Sequence, residues 1–251
     1  MSTPPLSPSL PKSDRTRGAL LGLAVGETLG RPIDKMSHQN VRTYFKGIKG
    51  YVGHERTGVE AGAIGPIAAG LVARVDGLRD SGDALADDLP EEAHNVAGGT
   101  IAVLYGDPYR VGSDLNTLQT AALRYAIESI PDAFDADLFW MHLEESARGT
   151  SLAQPLANVR DARDFFPLDL ADACGGTDTA ESAWLFGVAM FARNPRLVEA
   201  TLLSSVNVGG WASIVGATAG SLLGALNGWS AFPAEWRDEL IGADGLRVIA
   251  G

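Results

Sequence analysis

The chain is short of cysteine, of histidine and of positive charge, and each shortage excludes something. A single cysteine, Cys174, in 251 residues rules out an internal disulfide and a zinc site built on several thiolates. Such a lone thiol reads as a small buried apolar group. No two of the 4 histidines stand at helical spacing from each other, and His38 and His54 are read as hydrogen-bonding or solvent-facing residues rather than metal ligands. The 20 basic residues stand against 31 acidic ones, a net charge of −11, so the basic face that nucleic acid or an anionic membrane requires is missing. No apolar run of about 20 residues is free of charge or of a glycine-rich turn, so no segment reads as a membrane span. The first residues, Met1 to Pro11, are rich in proline and serine and lack a basic segment followed by an apolar one. They read as a disordered tail over 1–12, not a signal peptide, ahead of one domain over 13–251, with the cytoplasm as the expected location. A monomer or homodimer acting on a small molecule is the expected state.

What the chain has in quantity is glycine, 30 residues of it, at a telling spacing. In Asn207 to Gly228 the pair Gly209-Gly210 supplies a turn, and Gly216, Gly220 and Gly224 then recur every four residues, on one face of a helix. Glycine lowers helix propensity by about 1 kcal/mol relative to alanine, so three on one face imply a backbone packed directly against a neighbour. Gly18, Gly22 and Gly26 repeat the spacing in a helix expected from Ser13 or Asp14, as cap, to about Leu29. A third glycine-rich helix is expected over roughly 61–76. Strand signals are sparse, and an all-α orthogonal helical bundle is the expected fold.

These glycine stretches resemble the ADP-ribosylglycohydrolase family, whose pattern N-x-G-G-D-T-D-T-I-G-A-I-A-G-A-L-A-G-A-L-Y-G aligns without a gap on Asn207 to Gly228. Arg15 to Asp34 looks like the family's opening motif, with Glu27 for its aspartate and Asp34 for its glutamate. Ala231 to Trp236 resembles its closing I-P-x-E-W, with Pro233 placed to open a helix. The resemblance implies two magnesium ions held by an Asp-Thr-Asp-Thr motif and a Thr-Asp-Asp-Thr motif. Here Trp211, Ala212, Ser213 and Ile214 stand at the first and Glu60, Ala61, Gly62 and Ala63 at the second. No cofactor is therefore expected.

The remaining chain reads as follows. Residues 35–56 are a loop with short elements, 114–130 and 136–148 are helices, and 149–166 is a loop whose Arg160, Asp161, Arg163 and Asp164 pair in solvent. Gly98-Gly99 falls where the resemblance puts a ligand-approaching loop, though glycine pairs also mark plain turns. Asp178 or Thr179 reads as a helix cap rather than a displaced metal motif.

Two functions stay open from the residues. The pocket could serve a metal-independent enzyme, hydrolase-, lyase- or cyclase-like, with Glu27 and Asp34 as acid and base. Alternatively it belongs to a relative that binds a ligand or protein without catalysis. In either case Asn207, Gly209, Gly210, Trp211, Ser213, Gly98 and Gly99 are the expected ligand-binding residues.

Overall fold

Residues 12–72 and 114–250 are described by the structure, a computed structural model. In chain order these form α1 (Lys12–Gly30), a 3-10 turn (Arg31–Ile33), β1 (Met36–Ser37), α2 (His38–Phe45) and a second 3-10 turn (Glu55–Thr57). Next come α3, described over 66–72, then α4 (Asp114–Glu128), α5 (Ala136–Ser146), α6 (Ala153–Asp161) and α7 (Pro167–Ala173). The chain ends with α8 (Ala180–Arg193), α9 (Val198–Val206), β2 (Gly209–Gly210), α10 (Ala212–Asn227), α11 (Ala234–Asp238) and α12 (Asp244–Ala250). The fold is all-α, as expected; among the described residues its only sheet is the two-residue pairing of β1 with β2.

At the centre lies α10, whose residues Ala212 through Leu226 are all buried. It runs antiparallel to α1, and the two close rung by rung. A Cβ on Gly18 would strike the Gly224 carbonyl, one on Gly22 the Gly220 carbonyl, one on Gly26 the Gly216 carbonyl and one on Gly30 the Ala212 carbonyl. The reverse collisions hold from α10 toward α1 for Gly216, Gly220 and Gly224. At this separation Cα–H groups face carbonyl oxygens, a weak attraction that only glycine permits. The third helix in contact, α8, brings Gly187 against Thr218, whose Cβ lies 2.8 Å from where a Gly187 Cβ would stand.

Buried polar groups tie this core together. Trp184 Nε1 donates to Gln119 Oε1 (2.7 Å), Gln119 Nε2 donates to Ser221 Oγ (3.0 Å) and Ser221 donates to the Thr218 carbonyl (2.9 Å), which joins α8, α4 and α10. Arg15 crosses from α1 to donate to the carbonyls of Ile127 and Ser129, groups at the end of α4 that lack intrahelical partners.

Several elements differ from the sequence reading. Helix α1 begins at Lys12, so Ser13 and Asp14 lie inside its first turn, where Asp14 complements the helix dipole instead of capping. Within the expected loop 149–166 stands α6, with Leu156 and Val159 buried. Pro155 is accommodated because first-turn amides have no partner to lose. The charged residues after it do not pair among themselves: Arg160 binds both oxygens of Glu144 (3.0 and 2.8 Å) and Arg163 binds Asp137, which fastens this segment to α5. In 35–56 an eight-residue helix, α2, is capped by Ser37 and ended by the left-handed Lys46. Helices α4 and α5 each stop two residues early. Thr179 does cap α8, in a reciprocal box with Ser182, and Cys174 is buried, its thiol pushed up to about 12 by desolvation. Residues 73–76 of the expected third helix, like Gly98 and Gly99, lie outside the described residues.

Candidate functional site

The last turn of α1 and the turn that follows it carry one carboxylate each, Glu27 and Asp34, and the fold aims each at the start of another helix. Glu27 is fully buried. Its Oε1 accepts from the Ile67 amide and its Oε2 from the Ala68 amide, both at 2.8 Å, so it closes the first turn of α3. Gly65 is what allows the approach, because a Cβ there would collide with the Glu27 carboxylate. Neighbouring bonds hold the same segment, from Arg31 to the Ile64 carbonyl (2.9 Å) and from Thr28 to the Ala63 carbonyl (3.4 Å). Burial pushes the Glu27 carboxyl up to about 7, against the pull of the two amides and Arg31.

Asp34 follows the turn Arg31–Ile33, where Pro32 presets the backbone. The next residue, Lys35, takes a left-handed conformation (φ 63°) and donates its amide to the Gly210 carbonyl (2.7 Å). That reversal sets the half-buried Asp34 against the start of α10, where Oδ1 accepts from the Ser213 amide at 2.8 Å. No side chain of the local sequence caps α10, so Asp34 does so from across the fold. Burial raises its carboxyl to about 6, offset by the Ser213 hydroxyl and amide and by Lys35 and Arg31. Asp34→Ala is expected to lower stability by about 1 kcal/mol, as other lost helix caps do, while Asp34→Asn, which keeps an acceptor oxygen, stays within about 0.5 kcal/mol. Urea midpoints of the two variants check this.

Trp211 stands at the cap position of α10, half-buried. Its amide donates to the Thr177 carbonyl (2.7 Å), its indole N–H to the Asp178 carbonyl (2.9 Å), and Lys35 Nζ lies 4.7 Å above the ring. Gly209 and Gly210 both have positive φ, and Cβ atoms there would strike the Met36 carbonyl and the Thr177 side chain. Asn207 pairs its amide with the Ile48 backbone, accepting at 2.6 Å and donating at 3.0 Å, and donates again to Leu203 (2.7 Å). Its carbonyl meets His38 Nδ1 at 2.8 Å.

Of the expected site residues, then, Asp34, Trp211 and Ser213 come together, Asn207, Gly209 and Gly210 shape the turn that leads to them, and Glu27 faces α3. Lys35, Thr177 and Asp178 also belong to the cluster, but a lone lysine and two backbone carbonyls carry no sequence signal. Two cavities lined by described residues lie elsewhere, one beside α5 and one beside α9.

Magnesium needs a near-octahedral set of oxygens. Ala212 and Ile214 offer none from their side chains, the indole only donates, Glu60 is exposed, and Asp34 and Glu27 already accept from amides. Among the described residues no three His, Cys, Asp or Glu side chains form a metal-binding group. The residues present here do not fit the ion that the family resemblance implies.

A solved structure described as an ADP-ribosylglycohydrolase-related protein complex superposes with a TM-score of 0.54 over 95% of this chain and 96% of that chain, at 20% identity, a likeness of fold alone. No curated protein matches. The family model described as ADP-ribosylglycohydrolase matches residues 84–251, about two-thirds of the chain and including the whole of α10. On that match the chain belongs to the ADP-ribosylglycohydrolase family.

Proposed function

We propose that the protein is a magnesium-independent member of its family that binds a small ligand beside Trp211 without hydrolysing it. The observation that carries this reading is the state of Glu27: fully buried, with both oxygens accepting from α3 amides, it has no lone face for a substrate or an attacking water. The half-buried indole of Trp211 carries the exposed Lys35 ammonium over one face, so displacing that flexible side chain opens a flat apolar surface next to a cation. Such a surface suits a ligand with a planar ring and an anionic group, and ADP-ribose, the group named in the family's description, has both. Calorimetric titration with ADP-ribose is expected to give the same affinity in EDTA and in millimolar magnesium. Trp211→Ala and Lys35→Ala are each expected to abolish binding. Thermal melts are expected to be indifferent to magnesium, since an ion that does not bind the native state adds no stability. Binding or release of ADP-ribose that depends on magnesium would overturn the proposal.

A metal-independent enzyme is the second reading, and Asp34 favours it. Half-buried beside two cations, with its carboxyl near 6, it is divided between acid and base forms close to neutral pH. A turnover found without magnesium would favour this second reading, and Asp34→Asn then tests the residue: lost turnover with an unchanged melting temperature makes Asp34 catalytic, and retained turnover rejects that role.

A further inference from the structure

A second place in the molecule is built like a ligand site and lies apart from the α10 cluster. The turn Ala133–Asp135, the first residues of α5, Arg163 and Asp164 after α6, and the last residues of α8 enclose a cavity of about 470 Å³. That volume is within the range of small-molecule sites, which hold ligands in about 300–1,000 Å³. Trp140 and Arg193 both line it. Trp140 is fully buried and its Nε1 has no acceptor among the described residues, and Nη1 of Arg193 is likewise buried without one among them. An indole N–H and a guanidinium N–H left unpaired on residues that line the same cavity are costly, because each has lost water and gained nothing. Both can only donate, so together they call for an oxyanion, and a guanidinium fork suits a carboxylate.

The remaining charges narrow the ligand further. Asp135 accepts from the Asp137 and Leu138 amides as the cap of α5, and Asp137 pairs with Arg163. Asp164 is exposed and has no ion-pair partner among the described residues. With Asp135 it gives the cavity acidic groups, and the cavity is also lined by Arg193, a cation with no ion-pair partner among the described residues. A dianion such as phosphate would be repelled by those acidic groups, whereas a molecule with both charges satisfies them.

We propose that this cavity binds a small zwitterion, an α-amino acid or a molecule with the same head, with its carboxylate on Arg193 and Trp140 and its ammonium on Asp164. The proposal stands independently of any ligand at Trp211. It is tested by thermal-shift and calorimetric titration of the full chain with the common α-amino acids, and with acetate, ethylammonium and inorganic phosphate as single-charge or dianionic comparisons. At least one amino acid is expected to bind in a saturable manner, with acetate and ethylammonium far weaker. Arg193→Met is expected to weaken binding by about thirtyfold, the usual consequence of removing one partner of a buried charge pair. Asp164→Asn, a surface change that leaves folding intact, is expected to weaken it by about threefold, as befits an exposed pair. The absence of binding by every amino acid, phosphate binding more tightly than any of them, or affinity unaltered in Asp164→Asn would each overturn the proposal.

Discussion

Gly220→Ala is expected to lower stability by about 3 kcal/mol, the upper end of the cost of overpacking a core, although alanine is the better helix former by about 1 kcal/mol. The opposite signs make the test sharp. A Cβ at 220 meets the Gly22 carbonyl, which is backbone in the middle of a 19-residue helix and cannot rotate aside as a side chain would. Either α1 and α10 separate along their length, exposing the interface, or the rung strains. Gly22→Ala should cost a similar amount by striking the Gly220 carbonyl and the Phe232 ring. The double variant should cost less than the sum, because one separation of the helices relieves both collisions. Gly50→Ala is the control: its Cβ would stand 3.7 Å from Trp236 Nε1, an ordinary contact, and stability is expected to change by less than about 1 kcal/mol. Urea unfolding of the four variants and the parent measures all of this, and a Gly220→Ala variant as stable as the parent would show that the glycine rungs are not what sets the helix spacing.

The second large effect belongs to Glu27. Glu27→Ala leaves the Ile67 and Ala68 amides without acceptors in a dry site, at about 1–3 kcal/mol each, so α3 is expected to detach or the protein to lose about 4 kcal/mol. The wild-type carboxyl also predicts a direction with pH. Its ordinary value is 4.5 and burial lifts it to about 7 in the folded protein, so between these values the folded state holds a proton that the unfolded chain has released. Stability from this group is therefore fully present below pH 4.5 and is lost as pH rises through 7, by up to about 3 kcal/mol. Net charge of −11 pulls in the same direction through self-repulsion, so the parent alone does not isolate Glu27. The comparison with Glu27→Gln does, since that variant cannot titrate. Its urea midpoint is expected to fall less than the parent's between pH 5 and pH 8. Parallel profiles would mean that Glu27 is ionised throughout, its amide bonds having outweighed burial.

Much of the fold was legible because glycine at every fourth position has one economical explanation, a helix face pressed against another backbone. Gly18, Gly22 and Gly26 in one stretch and Gly216, Gly220 and Gly224 in another therefore mark α1 and α10 from sequence alone. Helix α6 was not legible, because it buries only Leu156 and Val159 and relies on Arg160 reaching Glu144, a partner on another helix. Helix α2 was legible only as one of the short elements expected over 35–56, because in its eight residues it buries Val41 alone.

The chain's own residues determined that two glycine-faced helices exist, that Glu27 and Asp34 stand near the end of the first and that Trp211 to Ile214 open the second. Only the tertiary structure decided that the helices run antiparallel with Gly22 opposite Gly220, that Glu27 closes α3 while Asp34 closes α10, and that Lys35 covers the Trp211 ring. The physical reason is that propensity and periodicity act within a few residues, whereas a carboxylate's role depends on which unpaired amides are brought to it, and here those amides come from about 40 residues away for Glu27 and 179 for Asp34.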